Sequence, residues 1–442
     1  MRAREAVTHL LRAALAAVDP RGAVKRALEL REGSIIVAGG DVVELGPDGG
    51  VWIVGAGKAA AGMAQGALEV LGDRLLGGTI TTKDGHALDL PRLDVWEAAH
   101  PVPDTRGLAG AVAALDVARG MGEGDLLLCL LSGGASALWP APPASVSLSD
   151  LRAVTDALLR SGAPIAEVNA VRKHLSRIAG GHLARAAQPA RVVTLAISDV
   201  VGSALDSIAS GPTVPDPTTY ADALGVLLSR GARVPNAVLA HLQAGDAGEV
   251  PETPKPGDPA FLRASAHVIA RNRHALDAVA AEAEHLGWNA TVVADDLQGE
   301  AREVAAQVAA LAWGAHAEGP SARLPHVFIL GGETTVTVTG AGRGGRNQEL
   351  ALAVALELDG EPGVTVACIA TDGTDGPTNA AGAVVDGTSV ARGRAHGMEA
   401  HDALLRNDSH PFHRATGDLL VTGPTGTNVN DIILVLVDAP VA

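Results

Sequence analysis

The chain has 442 residues, of which 47% are hydrophobic, 2% aromatic and 19% charged; that is ample apolar material for two or three cores and excludes wholesale disorder. Its 34 basic and 50 acidic residues leave a formal charge of −16, a field that repels phosphate backbones and argues against a general nucleic-acid binder. Cys129 and Cys368 sit in separate apolar runs without a CxxC or Cys/His cluster, so structural zinc and a disulfide framework are not expected, and a reducing cytoplasm is.

The first segment, MRAREAVTHLLRAALAAV, spreads Arg2, Arg4 and Arg12 along an amphipathic pattern and reads as a helix, not a signal peptide. No apolar stretch is long enough to span a bilayer, so no membrane partner is expected. Residues 51–54 form a short strand that leads through Gly55-Ala56-Gly57-Lys58 into an Ala-rich helix. Residues 125–131 and 191–197 are two more strands, followed by Ser132-Gly133-Gly134-Ala135-Ser136 and by Ser198-Asp199. Each strand is almost continuously apolar, as strands covered on both faces are. The strand–loop–helix alternation predicts an α/β fold with a doubly wound, Rossmann-like parallel sheet. Residues 244–260 are rich in Pro, Gly and acid and lack periodicity, which predicts a linker between a domain of residues 1–245 and one of residues 260–442. Beyond it the pattern predicts strands at 267–270, 291–294, 327–330, 364–370 and 432–437, and helices at 274–286 and 300–313. The alternating TVTVT at 335–339 predicts a half-exposed strand, giving the second α/β domain a mixed sheet.

Ligands of doubly wound sheets bind beyond the carboxyl ends of the strands, and these loops are the chemically rich part of the sequence. Gly55 and Gly57 give a weak form of the dinucleotide motif GxGxxA. Asp84 lies 84 − 57 = 27 residues past Gly57, however, where an acid at about 20 would hold a ribose. Lys58 would add positive charge to an anion site at a helix start. Ser132, Gly133, Gly134 and Ser136 offer amides and hydroxyls to phosphate. Asn169, Arg172 and Lys173, beside His174, form a cationic run that is either an anion contact or a solvated face. Asp199, at a strand end, suits a magnesium ligand, a group that orients a hydroxyl, or a helix cap. Arg343, Arg346 and Asn347 lie in a glycine-rich run whose arginine forks would wrap an anion. Asp372 and Asp375 give TDGTDG the composition of a Mg–phosphate site, or of Asx turns. No Walker A, protein-kinase HRD/DFG or GxSxG sequence is present, which sets aside those enzyme classes. The residues by themselves point to a cleft enzyme that handles a small anion together with phosphate.

Taken in order, these loops resemble the type II glycerate kinases, whose C-terminal part is the MOFRL domain. The matching stretches are GAGKAAAGMA (55–64), HPVPD (100–104), LLSGGASAL (130–138), NAVRKHLSRIAGGHLA (169–184), ISDVVGSALDSIASGPTVPD (197–216), GGETTVTVTGAGRGGRNQELAL (331–352), ATDGTDGPTNAAGAVVDG (370–387) and TGPTGTNVNDI (422–432). The resemblance implies ATP-dependent phosphorylation of D-glycerate at the 2-hydroxyl with a divalent metal, Mg²⁺, giving 2-phosphoglycerate and ADP. It implies two α/β domains with the active site in the interdomain cleft, and Lys58 and Arg346 as the motif cations. On this reading Lys58 and Arg346 neutralise the phosphoryl group and the glycerate carboxylate, and the loop at 132–136 cradles phosphate. Asp199 orients the hydroxyl or holds Mg²⁺, Asp372 and Asp375 assist the metal, and Arg172 and Lys173 are secondary anion contacts. With so few aromatics, aliphatic side chains are expected around the adenine. A monomer or homodimer is expected. Two alternatives stay open: an NAD(P)H-dependent hydroxypyruvate reductase, a label family members also carry, and a non-catalytic binder of phosphorylated metabolites.

Overall fold

The computed structural model describes residues 3–200, 205–317 and 323–439; Arg2 and residues 201–204 of the 197–216 stretch lie outside the described residues. The chain divides into two compact units, Pro20–Ile269 and a unit made of Met1–Asp19 with Ala270–Ala442.

The unit Pro20–Ile269 opens with a small antiparallel meander, β1 (Leu28–Arg31), β2 (Ser34–Val37) and β3 (Asp41–Val43). Its main sheet comprises β4 (Val51–Ala56), β5 (Leu75–Lys83), β6 (Leu93–Ala98), β7 (Leu126–Leu131), β8 (Arg191–Ile197) and β9 (Ala264–Ala270), in the spatial order β6-β5-β4-β7-β8-β9. The pairs from β6 across to β8 are parallel. Counted in chain order this is 3-2-1-4-5-6, the arrangement of a dinucleotide-type sheet, whose direction of progression reverses between β4 and β7. All six residues of β7, LLLCLL, are buried, as the apolar run predicts. Ala111, Ala114 and Ala118 of the helix Thr105–Arg119 pack against this sheet with Val54, Leu127 and Cys129. Small side chains at helical spacing let helix and sheet approach closely, so the core closes with few aromatics. A second cluster around Val154, Leu158, Val171, Leu227 and Leu242 joins the helices Leu148–Arg160, Ile165–His174, Tyr220–Ser229 and Asn236–Asp246.

Two expectations change here. The strand expected at 267–270 to begin the second domain belongs to β9, at the edge of the first sheet beside β8. The irregular stretch at 244–260 starts within the helix Asn236–Asp246 and is followed by a return to the same sheet. An apolar strand has the same pattern whichever sheet it joins, so composition alone marked the boundary too early. The first helix, Ala3–Ala17, groups instead with the later unit. There Arg4 donates to Asp386 (2.6 and 2.9 Å) and Asp418 (2.7 Å).

The sheet of that unit runs β10-β11-β15-β12-β13-β14, with β10 (Asn289–Glu300), β11 (His326–Thr335), β12 (Val364–Ala370), β13 (Gly382–Asp386), β14 (Leu419–Leu420) and β15 (Asp431–Val437). Only β10 and β11 pair in parallel, so the sheet is mixed, as expected. The stretch Gly331-Gly332-Glu333-Thr334 is the end of β11, paired with β10 as far as Glu300↔Thr335. The strand expected at 335–339 therefore ends at Thr335. Past that point the Thr337 amide donates to Glu300 (2.8 Å), and the amides of Thr339 and Gly340 donate to Asn407 Oδ1 (2.9 Å each), so side chains take the place of a partner strand.

Candidate active site

The loops that follow β4 and β7 meet where the order of the first sheet reverses. Gly55 lies inside β4, paired with Ile80 and Leu130, so the expected glycine loop starts two residues later, at Gly57. Gly57 has φ +132°, and a Cβ there would lie 2.1 Å from Ser132 Oγ and 2.5 Å from the Ser132 carbonyl oxygen. Only glycine fits. The Ser132 hydroxyl accepts the Ala59 amide (3.0 Å), the Lys58 amide donates to the Gly133 carbonyl (3.0 Å), and the Ser132 amide donates to the Ala56 carbonyl (3.1 Å). These bonds lace the two loops into one floor, with Lys58 just before the helix Ala60–Leu71. Gly134, at φ +89°, lets the His100 ring approach: a Cβ there would be 2.9 Å from its Cδ2 and 3.7 Å from Lys58 Cγ. Burial, with Lys58, Lys83 and His86 nearby, pushes the His100 imidazole down to about 4, so it is neutral at pH 7. His100 lies in the HPVPD stretch, and nothing in the sequence sets this ring against the 132–136 loop.

Behind that floor runs a chain of side chains: Ser136 Oγ meets Ser210 Oγ (3.1 Å), and Ser210 donates to Asn169 Oδ1 (3.1 Å). Asn169 thus belongs to the site through Ser210. Ala209 (φ +54°) and Ser210 (φ +57°) are both left-handed without being glycine, and such strain gathers at functional turns. Asp199 is half-buried at the end of β8, next to a turn in which Ser198 Oγ bonds the Val200 amide (3.2 Å).

The cationic run 169–174 is the end of the helix Ile165–His174 and is not a solvated face. Lys173, 3% exposed, pairs with Asp206 (3.3 Å) and Asp216 (3.4 Å). Its ammonium is committed to carboxylates, which corrects its assignment as an anion contact. Arg172 differs: it makes no ion pair or side-chain hydrogen bond among the described residues, and burial lowers its guanidinium from the usual arginine value. It lines a cavity of about 510 Å³ whose other walls include Ser136, Ser210 and Trp139.

In the other unit the sheet register gathers a second polar cluster. Asp431, the first residue of β15, pairs with Gly332 of β11 and Ala370 of β12. Glu333 and the run Thr371–Asp375 therefore flank it at the ends of the two neighbouring strands. Arg346 donates to both oxygens of Asp431, Nε–Oδ2 at 2.6 Å and Nη2–Oδ1 at 2.9 Å, and its Nη1 lies 2.7 Å from Glu333. Burial alone would lower the Arg346 pKa; the bonds to Asp431 outweigh it and raise it. The fork expected to grip a ligand thus grips Asp431, a residue missed in the sequence because its partner lies 85 positions away. Asp375 is buried, and its oxygens accept the amides of Asn347 (3.1 Å) and Gln348 (2.9 Å) and the Gln348 side chain (2.9 Å). It caps the helix Arg346–Glu357 from a distant loop and is corrected as a metal ligand; the buried Asn347 serves the same cap, not a substrate. Asp372 accepts from the amide and hydroxyl of Thr374 (3.0 and 3.1 Å), an Asx turn. Arg343 Nε donates to the Pro377 carbonyl (3.2 Å). Among the described residues no three His, Cys, Asp or Glu side chains gather as a preformed metal site.

Residues 6–243 match the family described as "Domain of unknown function (DUF4147)", and residues 326–431 match the MOFRL family. The chain is 40% identical over 437 residues to a glycerate 2-kinase of Pyrococcus horikoshii, covering 98% of this chain and 97% of that one. It is 42% identical over 437 residues to a protein of Agrobacterium vitis that carries hydroxypyruvate reductase as a provisional name, covering 98% and 94%. A crystal structure of glycerate kinase from Thermotoga maritima superimposes with a TM-score of 0.86 at 38% identity, covering 98% of this chain and 99% of that one.

Proposed function

Because the chain belongs to the family of glycerate 2-kinases whose C-terminal part is the MOFRL domain, we infer that it moves the γ-phosphoryl group of ATP to the 2-hydroxyl of D-glycerate, releasing 2-phosphoglycerate and ADP. The observation that carries this reading is the laced floor at the sheet's reversal point, the place ligands occupy in such sheets, with Lys58 within it just before a helix. In the transfer the 2-hydroxyl oxygen forms a bond to the γ-phosphorus while the bond to the β,γ-bridging oxygen breaks, and ADP leaves with that electron pair. The chemistry asks for positioning and charge neutralisation more than for covalent help.

Lys58 supplies a cation beside the start of the helix Ala60–Leu71, where anionic oxygens are favoured. Gly133, Gly134 and Ser136 offer backbone and hydroxyl donors to phosphate oxygens, and Ser132 holds the two loops in register. Asp199 accepts the hydroxyl proton or orients that hydroxyl. Arg346 acts through Asp431 and Glu333, fixing the carboxylates at the head of β15. Mg²⁺ usually takes one or two protein carboxylates and completes its shell with phosphate oxygens and water. Asp199, at the end of β8, suits that demand; Asp375, with its oxygens held by Asn347 and Gln348, does not. When bound, the metal neutralises charge on the nucleotide phosphates. The two buried, unbonded cysteines support a reducing, cytoplasmic setting, and among the described residues no helix is long and apolar enough to cross a membrane.

The reductase reading asks for an acid near the end of β5 to hold a ribose. Asp84 follows β5, but both its oxygens are bound by Arg106 (2.6 and 2.9 Å). Two assays on one sample decide: ADP formation from ATP and D-glycerate with Mg²⁺, and NADH oxidation with hydroxypyruvate. The kinase reading expects the first alone. NADH consumption without ADP formation would overturn it.

A further inference from the structure

The 510 Å³ cavity beside Arg172 has no role in the account so far. Its walls are mainly apolar: Pro101, Val102, Trp139, Leu151, Leu159 and Ile178 line it. Val102 and Leu159 are 60% and 58% exposed, so apolar side chains face solvent at a concave surface, where a ligand would cover them. The Trp139 indole N–H already donates to Thr81 Oγ1 (3.0 Å), which leaves the ring as plain apolar wall. Of its polar groups, Arg152 Nε donates to the Pro103 carbonyl (2.6 Å) and Ser176 Oγ accepts the Ala179 amide (3.0 Å). Ser136 and Ser210 bring in the loop after β7 and the strained turn at 209–210, and Arg172 brings a partly buried guanidinium that makes no ion pair among the described residues. Asp156 also lines the cavity, but its carboxylate pairs with Arg160 at 2.6 Å.

Of the two small molecules the kinase reading requires, D-glycerate has three carbons, each bearing oxygen, and so has no apolar face to bury here. A nucleoside has a flat apolar base, and its size falls in the range of sites of roughly 300–1,000 Å³. An unpaired guanidinium at the polar end suits phosphate oxygens, which its fork can bind two at a time. Building on the kinase reading, we propose that this cavity of the unit Pro20–Ile269 is the nucleotide pocket. Its apolar walls hold the purine, and Arg172 and the loop at 132–136 hold the phosphates. The purine is then covered mostly by aliphatic side chains and prolines, with Trp139 as the one large aromatic wall.

The test is ADP titrated calorimetrically into the full-length chain, with steady-state kinetics beside it. Ala153 lines the cavity and is exposed on the helix Leu148–Arg160, so Ala153→Trp blocks the mouth without disturbing the core. Arg172→Gln removes the charge and keeps the length of the stem; thermal melts of both variants verify folding, and either one alone carries the test. Both variants are expected to bind ADP at least tenfold more weakly while KM for D-glycerate moves less than threefold. ADP affinity within threefold of wild type in both, or a tenfold rise in KM for D-glycerate with ADP binding unchanged, would overturn the assignment. A wild type that neither binds ADP nor forms it from ATP and D-glycerate would overturn the kinase reading, and the pocket with it. A wild type that forms ADP while the variants bind ADP normally would overturn the pocket alone.

Discussion

Arg346 holds Asp431 with two parallel hydrogen bonds, 2.6 and 2.9 Å, and Asp431 is only 2% exposed. The pair joins the start of a helix to the first residue of a central strand. Arg346→Met strands a buried carboxylate and is expected to cost about 3 kcal/mol, near the lower end for breaking such pairs because the arginine is partly exposed. Adding Asp431→Leu is expected to return most of that stability without returning kinase activity. Denaturant unfolding and turnover of the single and double variants check this. Full activity in the double variant would reduce the pair to a structural clamp.

Lys58 is the cation of the laced floor. Lys58→Met keeps the aliphatic stem, and the amide that bonds Gly133 is untouched. Turnover is expected to fall by about 10²–10³, the scale of removing one preorganised transition-state donor, with the melting temperature unchanged within error. Wild-type kcat in this variant would make Lys58 a solvated turn residue.

Gly57 is where the floor is tightest. Gly57→Ala puts a methyl into the Ser132 carbonyl oxygen as well as its hydroxyl, so trimming Ser132 to glycine cannot relieve it fully. A loss of about 1–3 kcal/mol from overpacking is expected, together with loss of activity. Unfolding curves of Gly57→Ala and Gly57→Ala/Ser132→Gly measure both parts; a fully stable single variant would show that the loops part freely.

His100 gives the pH dependence a direction. Its folded pKa, about 4, lies below its ordinary 6.5 because of burial and the cations around it. Between those values the unfolded chain binds a proton that the folded chain refuses. The stability attached to its neutral ring is therefore full above about 6.5 and is lost as pH falls toward 4. His182, also lowered to about 4 by burial, acts in the same sense. His100→Asn is expected to flatten the decline in stability between pH 6.5 and 4 relative to wild type. Equal slopes would show that the ring titrates normally.

The strands that carry the first site were legible because continuous apolar runs such as LLLCLL leave little choice, and the Gly-rich loops after them were legible as ligand-facing. What the sequence concealed was long-range pairing. Lys173 looked like an anion contact until Asp206 and Asp216 appeared beside it. Asp375 looked like a metal ligand until it was found capping a helix about 30 residues earlier in the chain. Arg172 stands next to Lys173 and has the same charge, but it lines a cavity and makes no ion pair among the described residues. Only tertiary structure separates the two. The extent of β9 and β11 was misread for a related reason: the partner strand decides where a strand belongs and where it stops.

The most direct test of the central claim is ³¹P and ¹H NMR of the first product formed from ATP, Mg²⁺ and D-glycerate. The account predicts a phosphate on carbon 2, visible as coupling of phosphorus to a single proton, with one ADP formed per product. A phosphate on carbon 3, coupled to two protons, or ADP formed without any phosphorylated acid, would contradict it.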